Sequence, residues 1–534
     1  MKNKFALIIL LAIFLLLRLP GLSLPYHQDE WKNVHAAELG GAATSGLYHP
    51  PLTQLLLKAG VAVFGADHLR LLPLFFSVIA AWLLFEVMRR RASDHAAWLA
   101  VFLYAISFYG VWSSLQIDTD GAILPVFFLL AVYLYDRQWW WLTGLALLAG
   151  LLVKLSFILV VGALLIDFLL THRQALTKKR SFYIFSASIT FFILFAAAVF
   201  IVQRIYPAFS IEGMIAHARS FAHLSGRNYI QVVAQAIKAI FYLSPLLLLP
   251  LLFISREIFK QTRIFFIYLA LGFVFYFILF DFSAGALDKY LMFTIIPLAA
   301  ISGAVISQIK WTKKTVILGV VSAIALFALN FLAPVVLPLY PKTDWFGRVL
   351  HGEWNFLNPF NGGSGPTGFY VSFLFIAAVF IFSTIVALAG SLKKDWRPIT
   401  LAILVIIGLV YNGVMAEELM FGKINGSAPR ALRAALDFIA DNPNVKPVLT
   451  YNDIGAYELS KLGKYVGRFY AAPQFEAEHR QRFAAHTGDF LVVDMPHINQ
   501  DSFYTEFFSK CDVIFETESN VIPTKIYSCS INKK

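Results

Sequence analysis

The sequence is poor in charge. Only 14% of its 534 residues are Asp, Glu, Lys or Arg, against about 25% in soluble domains. Hydrophobic residues make up 59% of it, 51 residues are Phe, and the mean hydropathy is +0.69. This excludes a soluble globular protein. It fits helices that turn apolar side chains toward lipid as well as toward one another. Cysteine is scarce too. Cys511 and Cys529 are the only two, and neither has a CxxC partner, which excludes a disulfide scaffold and a zinc site. Whether the two pair depends on the compartment they occupy. No GxGxxG or P-loop pattern is present, so no nucleotide cofactor is signalled. There is no internal repeat and no low-complexity segment.

The formal net charge is +12. The basic residues sit mostly in short loops between apolar runs, where topology rather than nucleic acid explains them. No basic patch interleaved with aromatics stands out, so nucleic acid is not an expected partner.

A spanning helix needs about 20 mostly apolar residues, and the chain offers about 13 such runs. They cover 5–24, 70–88, 95–112, 121–136, 139–153, 155–171, 182–202, 239–254, 264–281, 290–308, 315–334, 368–390 and 398–416. The 139–171 stretch reads equally as one broken or re-entrant element. The first run follows Met1-Lys-Asn-Lys4 and has no small-residue cleavage site, so it reads as an uncleaved helix with its N-terminus in the cytoplasm. Alternate loops carry the cations, among them Arg89, Arg90, Arg91, Lys178, Lys179, Arg180, Lys310, Lys313, Lys314, Lys393 and Lys394. Those loops are expected in the cytoplasm. The loops 25–69, 113–120, 203–238, 282–289 and 335–367 are then expected outside.

The composition shifts after about residue 417. Short apolar runs at 448–451, 490–494, 513–515 and 525–528 read as strands, and 430–440, 454–462 and 474–486 have helical period. The expected architecture is an all-α polytopic membrane bundle over 1–416 with a small extracytoplasmic α/β domain over 417–534.

Six polar constellations fall at the outer ends of these runs. Asp29-Glu30 follows the first helix. A carboxylate there suits a general base, or a divalent cation shared with His27 or His49, or simply a helix cap. His49 precedes Pro50-Pro51, which fix the backbone and aim it. Arg70 suits a phosphate, or an interfacial snorkel. Asp118-Thr-Asp120 returns the chain to the bundle, and Gly121 permits close approach. Lys154 lies between two apolar runs where the positive-inside rule asks for no cation. Asp288-Lys289-Tyr290 sits at a later outer boundary. Ionisable residues at membrane depth mark functional sites by default. Acids, cations and apolar walls at one face suit a phosphorylated isoprenoid and a nucleophile to be deprotonated.

The order Asp-Glu after the first helix, Pro-Pro-Leu about twenty residues on, Arg-Leu before the second helix and Asp at the third-to-fourth turn resembles the GT-C glycosyltransferases. The likeness is to the dolichyl-phosphate-mannose protein mannosyltransferases and their bacterial branch, which includes the lipid A aminoarabinose transferases and lipopolysaccharide-core glycosyltransferases. It covers roughly the first 170 residues, with Lys289-Tyr290 resembling a later element.

The resemblance implies an inverting, multi-pass inner-membrane transferase of GT-C fold. Its donor would be a polyprenyl-phosphate sugar, and its acceptor a lipid A, a lipopolysaccharide core, a cell-wall glycan or a protein hydroxyl. Asp29, with Glu30 beside it, and Asp120 with Asp118 would be the catalytic acids. His49, Arg70, Lys154, Lys289 and Tyr290 would contact the donor phosphate. His49 stands where many bacterial members have Lys or Arg. A metal at Asp29 and His27 is the alternative use of that acid. Two rival readings are a transporter or flippase of lipid-linked sugars and a non-catalytic assembly partner. The absence of a two-fold repeat and the clustering of charge at one face speak against the first.

Overall fold

Every residue from Ile295 to Ile306 is buried, as expected of a helix walled on all sides by others. The computed structural model of the chain describes residues 2–38, 50–172, 178–205, 209–220, 229–279, 287–309, 311–332, 344–360, 368–469, 476–493 and 502–529. His49 and Lys310 lie outside the described residues. Two compact units are formed. The first comprises Met1–Leu22, Asn33–Thr312 and Val386–Val405, and the second Ser23–Lys32, Lys313–Ile385 and Ile406–Lys534.

The first unit is helical. It runs through α1 (Lys2–Leu16), the later part of α2 (Gln28–Glu38), α3 (Pro51–Phe64), α4 (Leu71–Arg91), α5 (Asp94–Ile106), α6 (Phe108–Leu115), α7 (Leu124–Asp136), α8 (Trp140–Val153) and α9 (Ile158–Thr171). It continues through α10 (Lys178–Ile205), α11 (Ile211–Ser220), α12 (Tyr229–Leu248), α13 (Arg256–Val274), α14 (Leu287–Tyr290) and α15 (Ile295–Ile306). Serine hydroxyls start several of these. Ser93 accepts from the Ala96 amide at 3.1 Å, Ser107 from Gly110 at 3.2 Å and Ser255 from Ile258 at 3.2 Å, which satisfies amides that have no partner within the helix. Helix α15 packs on α5 backbone to backbone, since a Cβ on Gly303 would come within 2.6 Å of the Ala100 nitrogen. Small residues permit such approach where lipid supplies no hydrophobic drive.

Arg18 is fully buried just beyond α1. Its Nε donates to Ser114 Oγ at 2.6 Å and its Nη1 to the Phe14 and Ala105 carbonyls at 2.8 and 3.0 Å. Elsewhere Arg91 grips Asp136 with two nitrogens at 2.7 and 2.6 Å, and Arg263 Nε meets Asp167 at 2.8 Å.

Among the described residues seven helices are long and apolar enough to cross a membrane, and two bent pairs raise that to nine. Five further apolar helices of 10–17 residues, including α8 and α15 with its preceding turn, are shorter. The expected run of about 13 spans, several of them short, resolves among the described residues into long, bent and short elements. The 95–112 run is a bent pair, turned by 65° where Ser107 caps the new helix. The 5–24 run gives way to a bend of 85° before α2. The 139–171 stretch is two helices, broken at Lys154.

The second unit holds α16 (Lys313–Leu332), α17 (Asp344–Leu350), an antiparallel hairpin of β1 (Leu357–Phe360) and β2 (Phe369–Ser372), most of α18 (Phe373–Leu392) and the later part of α19 (Arg397–Met420). A five-stranded sheet follows, in the order β4-β3-β5-β7-β6. Its strands are β3 (Val448–Tyr451), β4 (Tyr465–Phe469), β5 (Asp489–Val493), β6 (Asp512–Ser519) and β7 (Ile522–Ser528). The pairs β3–β4 and β3–β5 are parallel, and β5–β7 and β6–β7 antiparallel. Strands β3 and β5 are buried throughout, which is why they read as continuous apolar runs. Helices α20 (Ala428–Asp441), α21 (Ala456–Lys461), α22 (Glu476–Ala485) and α23 (Phe503–Phe508) complete the layers. Cys511, after α23, and Cys529, after β7, form a disulfide.

Candidate active site

The return of the chain after α6 builds the first part of the site. Asp118 is extended, with φ −147° and ψ 165°, and its Oδ1 accepts from the Thr119 amide at 2.6 Å. A turn of π-helix over Thr119–Ile123 follows before α7. Such widened turns are rare and concentrate at functional sites. Gly121 is required here, because a Cβ would lie 2.4 Å from that of Ser113.

Lys154 is the single extended residue between α8 and the short turn Leu155–Phe157. Its Nζ forms an ion pair with Asp120 Oδ2, and the two side chains are 13% and 3% exposed. Lys289, in α14, pairs through Nζ with Asp118 Oδ2 at 2.6 Å. The next residue, Tyr290, joins them: Lys154 Nζ lies 5.1 Å and Lys289 Nζ 5.9 Å from its ring centroid, within reach of the negative ring face. Two acids and two ammonium groups thus meet beside one aromatic. Paired in this way, buried charges are tolerable where single ones are not.

Beside Asp120 lies a cavity of about 20 Å³, lined also by Ser156, Tyr268, Tyr276 and Phe293. That is room for one water. Tyr276 is hydrogen-bonded to Ser156. Sequence reasoning missed these hydroxyls. The available signal was polar tips inside the apolar runs 155–171 and 264–281.

Arg70 is 4% exposed, and its Nη1 donates to the Gly21 carbonyl at 3.3 Å. It is held inside the first unit rather than spread at an interface.

Asp29 and Glu30 belong to the second unit, and their side chains have different surroundings. Glu30 is 3% exposed and its Oε2 accepts from the His27 amide at 2.9 Å. This is half of a capping box, the third helical residue reaching back to the cap residue. His27 Nδ1 accepts in turn from the Asp29 amide at 3.3 Å. Asp29 is the more open acid, with a side chain 29% exposed and one carboxylate oxygen 3.5 Å from the ammonium of exposed Lys32. Among the described residues no three His, Cys, Asp or Glu side chains converge as metal ligands. A cation held at Asp29 and His27 would complete its shell with waters or a substrate phosphate.

The second unit also contains an apolar cavity of about 410 Å³ between α16 and α19, with Phe327, Val414 and Glu417 among its lining residues. Asn425, in an Asn-Gly-Ser sequon, is 2% exposed and both its amides donate to Glu418 Oε1 at 3.0 and 3.1 Å, so this asparagine does structural work.

The chain is similar to known proteins in part of its sequence and in its fold. Residues 48–201 match the family described as dolichyl-phosphate-mannose-protein mannosyltransferase. The sequence search of curated proteins finds no match. Among solved structures, ArnT from Cupriavidus metallidurans in the apo state is similar over 99% of this chain and 98% of its own, with TM-score 0.56 and 14% identity. The same protein bound to undecaprenyl phosphate is similar over 99% of both chains, with TM-score 0.55 and 13% identity. In motif, family match and fold, the chain resembles the GT-C glycosyltransferases of the protein-mannosyltransferase and ArnT type, as a multi-span membrane protein with a small C-terminal sheet domain.

Proposed function

We propose that this protein is an inverting membrane glycosyltransferase. It would move a sugar from a polyprenyl-phosphate donor to an acceptor on the extracytoplasmic side of the inner membrane. The observation that carries the reading is the meeting of Lys154 and Lys289 at Tyr290, each paired with an acid. A phosphate bound there takes over the two ammonium groups, while Asp118 and Asp120 hold them in place when the donor is absent. Undecaprenyl phosphate bound to a protein of the same fold supports this choice of lipid.

In the proposed reaction Asp29 accepts the proton of the acceptor hydroxyl. The freed oxygen attacks the anomeric carbon from the face opposite the phosphate. The bond between that carbon and the phosphate oxygen breaks, and the electron pair leaves with polyprenyl phosphate. Lys154, Lys289, Arg70 and His49 neutralise that anion, and Tyr290 covers it. Positioning and electrostatics are then most of the catalysis. Glu30 fixes the helix that carries Asp29.

The orientation rests on charge and chemistry. Cations fall in alternate loops, as the positive-inside rule asks, and the Cys511–Cys529 disulfide suits an oxidising compartment. Residues 417–534 are therefore read as an extracytoplasmic domain.

The test is sugar transfer from a panel of polyprenyl-phosphate donors by the purified full chain and its Asp29→Asn variant. Wild type should turn over one donor. Asp29→Asn should lose roughly 10²–10⁴-fold in kcat while still binding it. If no donor is turned over, and lipid-linked sugar crosses a reconstituted bilayer equally with either form, the transporter reading replaces this one.

A further inference from the structure

The ten residues Ser23–Lys32, which carry Asp29, cluster with the sheet domain, and five contacts explain why. Arg433 of α20 donates to the Ser23 carbonyl at 2.8 Å. Tyr26 meets Tyr457 of α21 edge-on, with ring centroids 4.9 Å apart. Trp31 lies 6.2 Å from Tyr457 and 6.0 Å from Tyr465. Gln28 Nε2 donates to Asp453 Oδ2 at 3.3 Å.

Asp453 is the hub of this dock. It is 4% exposed, accepts from the Tyr465 hydroxyl through Oδ1 and receives Arg468 Nη1 on Oδ2 at 2.8 Å. Asn452 and Asp453 both adopt left-handed backbone, with φ 54° and 61°. Two successive non-glycine residues in that region are uncommon and persist only where the surroundings over-determine them. The turn follows β3, at the carboxyl end of the parallel part of the sheet, which is where open α/β sheets place functional groups.

We propose that Asp453 is a positioning residue for Asp29. It ties the first turn of α2 to the sheet domain through Gln28, and Tyr465 and Arg468 hold the carboxylate in the one orientation that Gln28 can meet. The sheet domain thereby becomes part of the catalytic apparatus rather than an appendage. This rests on the transferase reading given above.

The experiment uses the full chain in detergent, with amide exchange of the 23–32 segment and transfer kinetics measured on the same samples. Gln28→Ala removes the link without touching the sheet. Asp453→Ala removes the hub. Both should speed exchange in 23–32 at least tenfold, leave β5 protected, and lower kcat about tenfold with the donor KM within twofold. Asp453→Asn keeps an oxygen for Gln28 and tolerates left-handed backbone, so it should recover most of the kcat. Unchanged exchange in 23–32, or faster exchange with unchanged kcat, overturns the proposal. If wild type itself transfers from no donor, the transferase reading fails and the positioning role with it. The exchange data would still decide whether 23–32 is docked.

Discussion

Lys154, at the break between α8 and α9, reaches Asp120 in the π-turn ahead of α7, and the pair is almost closed to solvent at 13% and 3% side-chain exposure. Such a pair is poor evidence of net stabilisation, but it is unforgiving when one member is lost. Lys154→Met should destabilise the bundle by about 3–5 kcal/mol. The double variant Lys154→Met/Asp120→Leu should recover much of that. Thermal unfolding in detergent distinguishes the two; a double variant no more stable than the single one contradicts the pairing.

Lys289 offers a cleaner view of donor binding, because its 2.6 Å partner is Asp118 rather than the more deeply buried Asp120. A hydrogen bond to a charged group contributes about 1.5–3 kcal/mol. Lys289→Gln should therefore reduce kcat/KM for the polyprenyl-phosphate sugar by roughly 10–150-fold. Steady-state kinetics with the best donor of the panel checks this, and a loss below threefold removes Lys289 from the phosphate site.

The disulfide makes its own prediction. Cys511 and Cys529 enclose a short loop, with a sequence separation of 18, for which chain entropy gives about 3 kcal/mol. Reductant, or Cys511→Ser, should loosen the β6–β7 edge first. Amide exchange should accelerate in 512–528 and much less in 448–451. Alkylation without prior reduction should label neither cysteine if the protein is taken from its own membrane.

The sheet domain should also weaken in acid. Burial holds the His486 imidazole below its ordinary value, opposed by its hydrogen bond to the Asp489 carbonyl. The folded form therefore binds this proton more weakly than the unfolded chain. The stability contribution is complete above the unfolded value, about 6.5, and declines as pH falls from there toward the folded value. His486→Gln should flatten the pH dependence of thermal unfolding between pH 7.5 and 5. An unchanged slope would place the titration elsewhere.

Much of the site is legible in the sequence. Asp118, Asp120, Lys154 and Lys289 announced themselves because charge inside apolar runs is expensive and rare, and the structure gathers them at Tyr290. Strands β3 and β5 are visible as buried apolar runs, and β6 and β7 as the short runs 513–515 and 525–528. Other features were hidden for physical reasons. Strand β4 reads Tyr465-Val-Gly-Arg-Phe469, and its glycine and arginine are tolerated at the edge of the sheet, where one side goes unpaired. The bend at Ser107 depends on a single hydroxyl cap, which hydropathy does not register. Tyr268 and Tyr276 passed as apolar wall, because a tyrosine ring and its hydroxyl count as one letter. The docking of 23–32 joins residues more than four hundred positions apart, beyond any local pattern.

Arg18 has a consequence for how the protein is made. Beyond its own turn, the partners of its guanidinium are Ala105 and Ser114, which leave the ribosome almost a hundred residues later. Until they arrive, the leading segment carries an uncompensated cation, which is costly to place at membrane depth. The contacts tie the burial of Arg18 to the arrival of the α5–α6 pair, and Arg18→Leu should insert earlier in synthesis than the native chain.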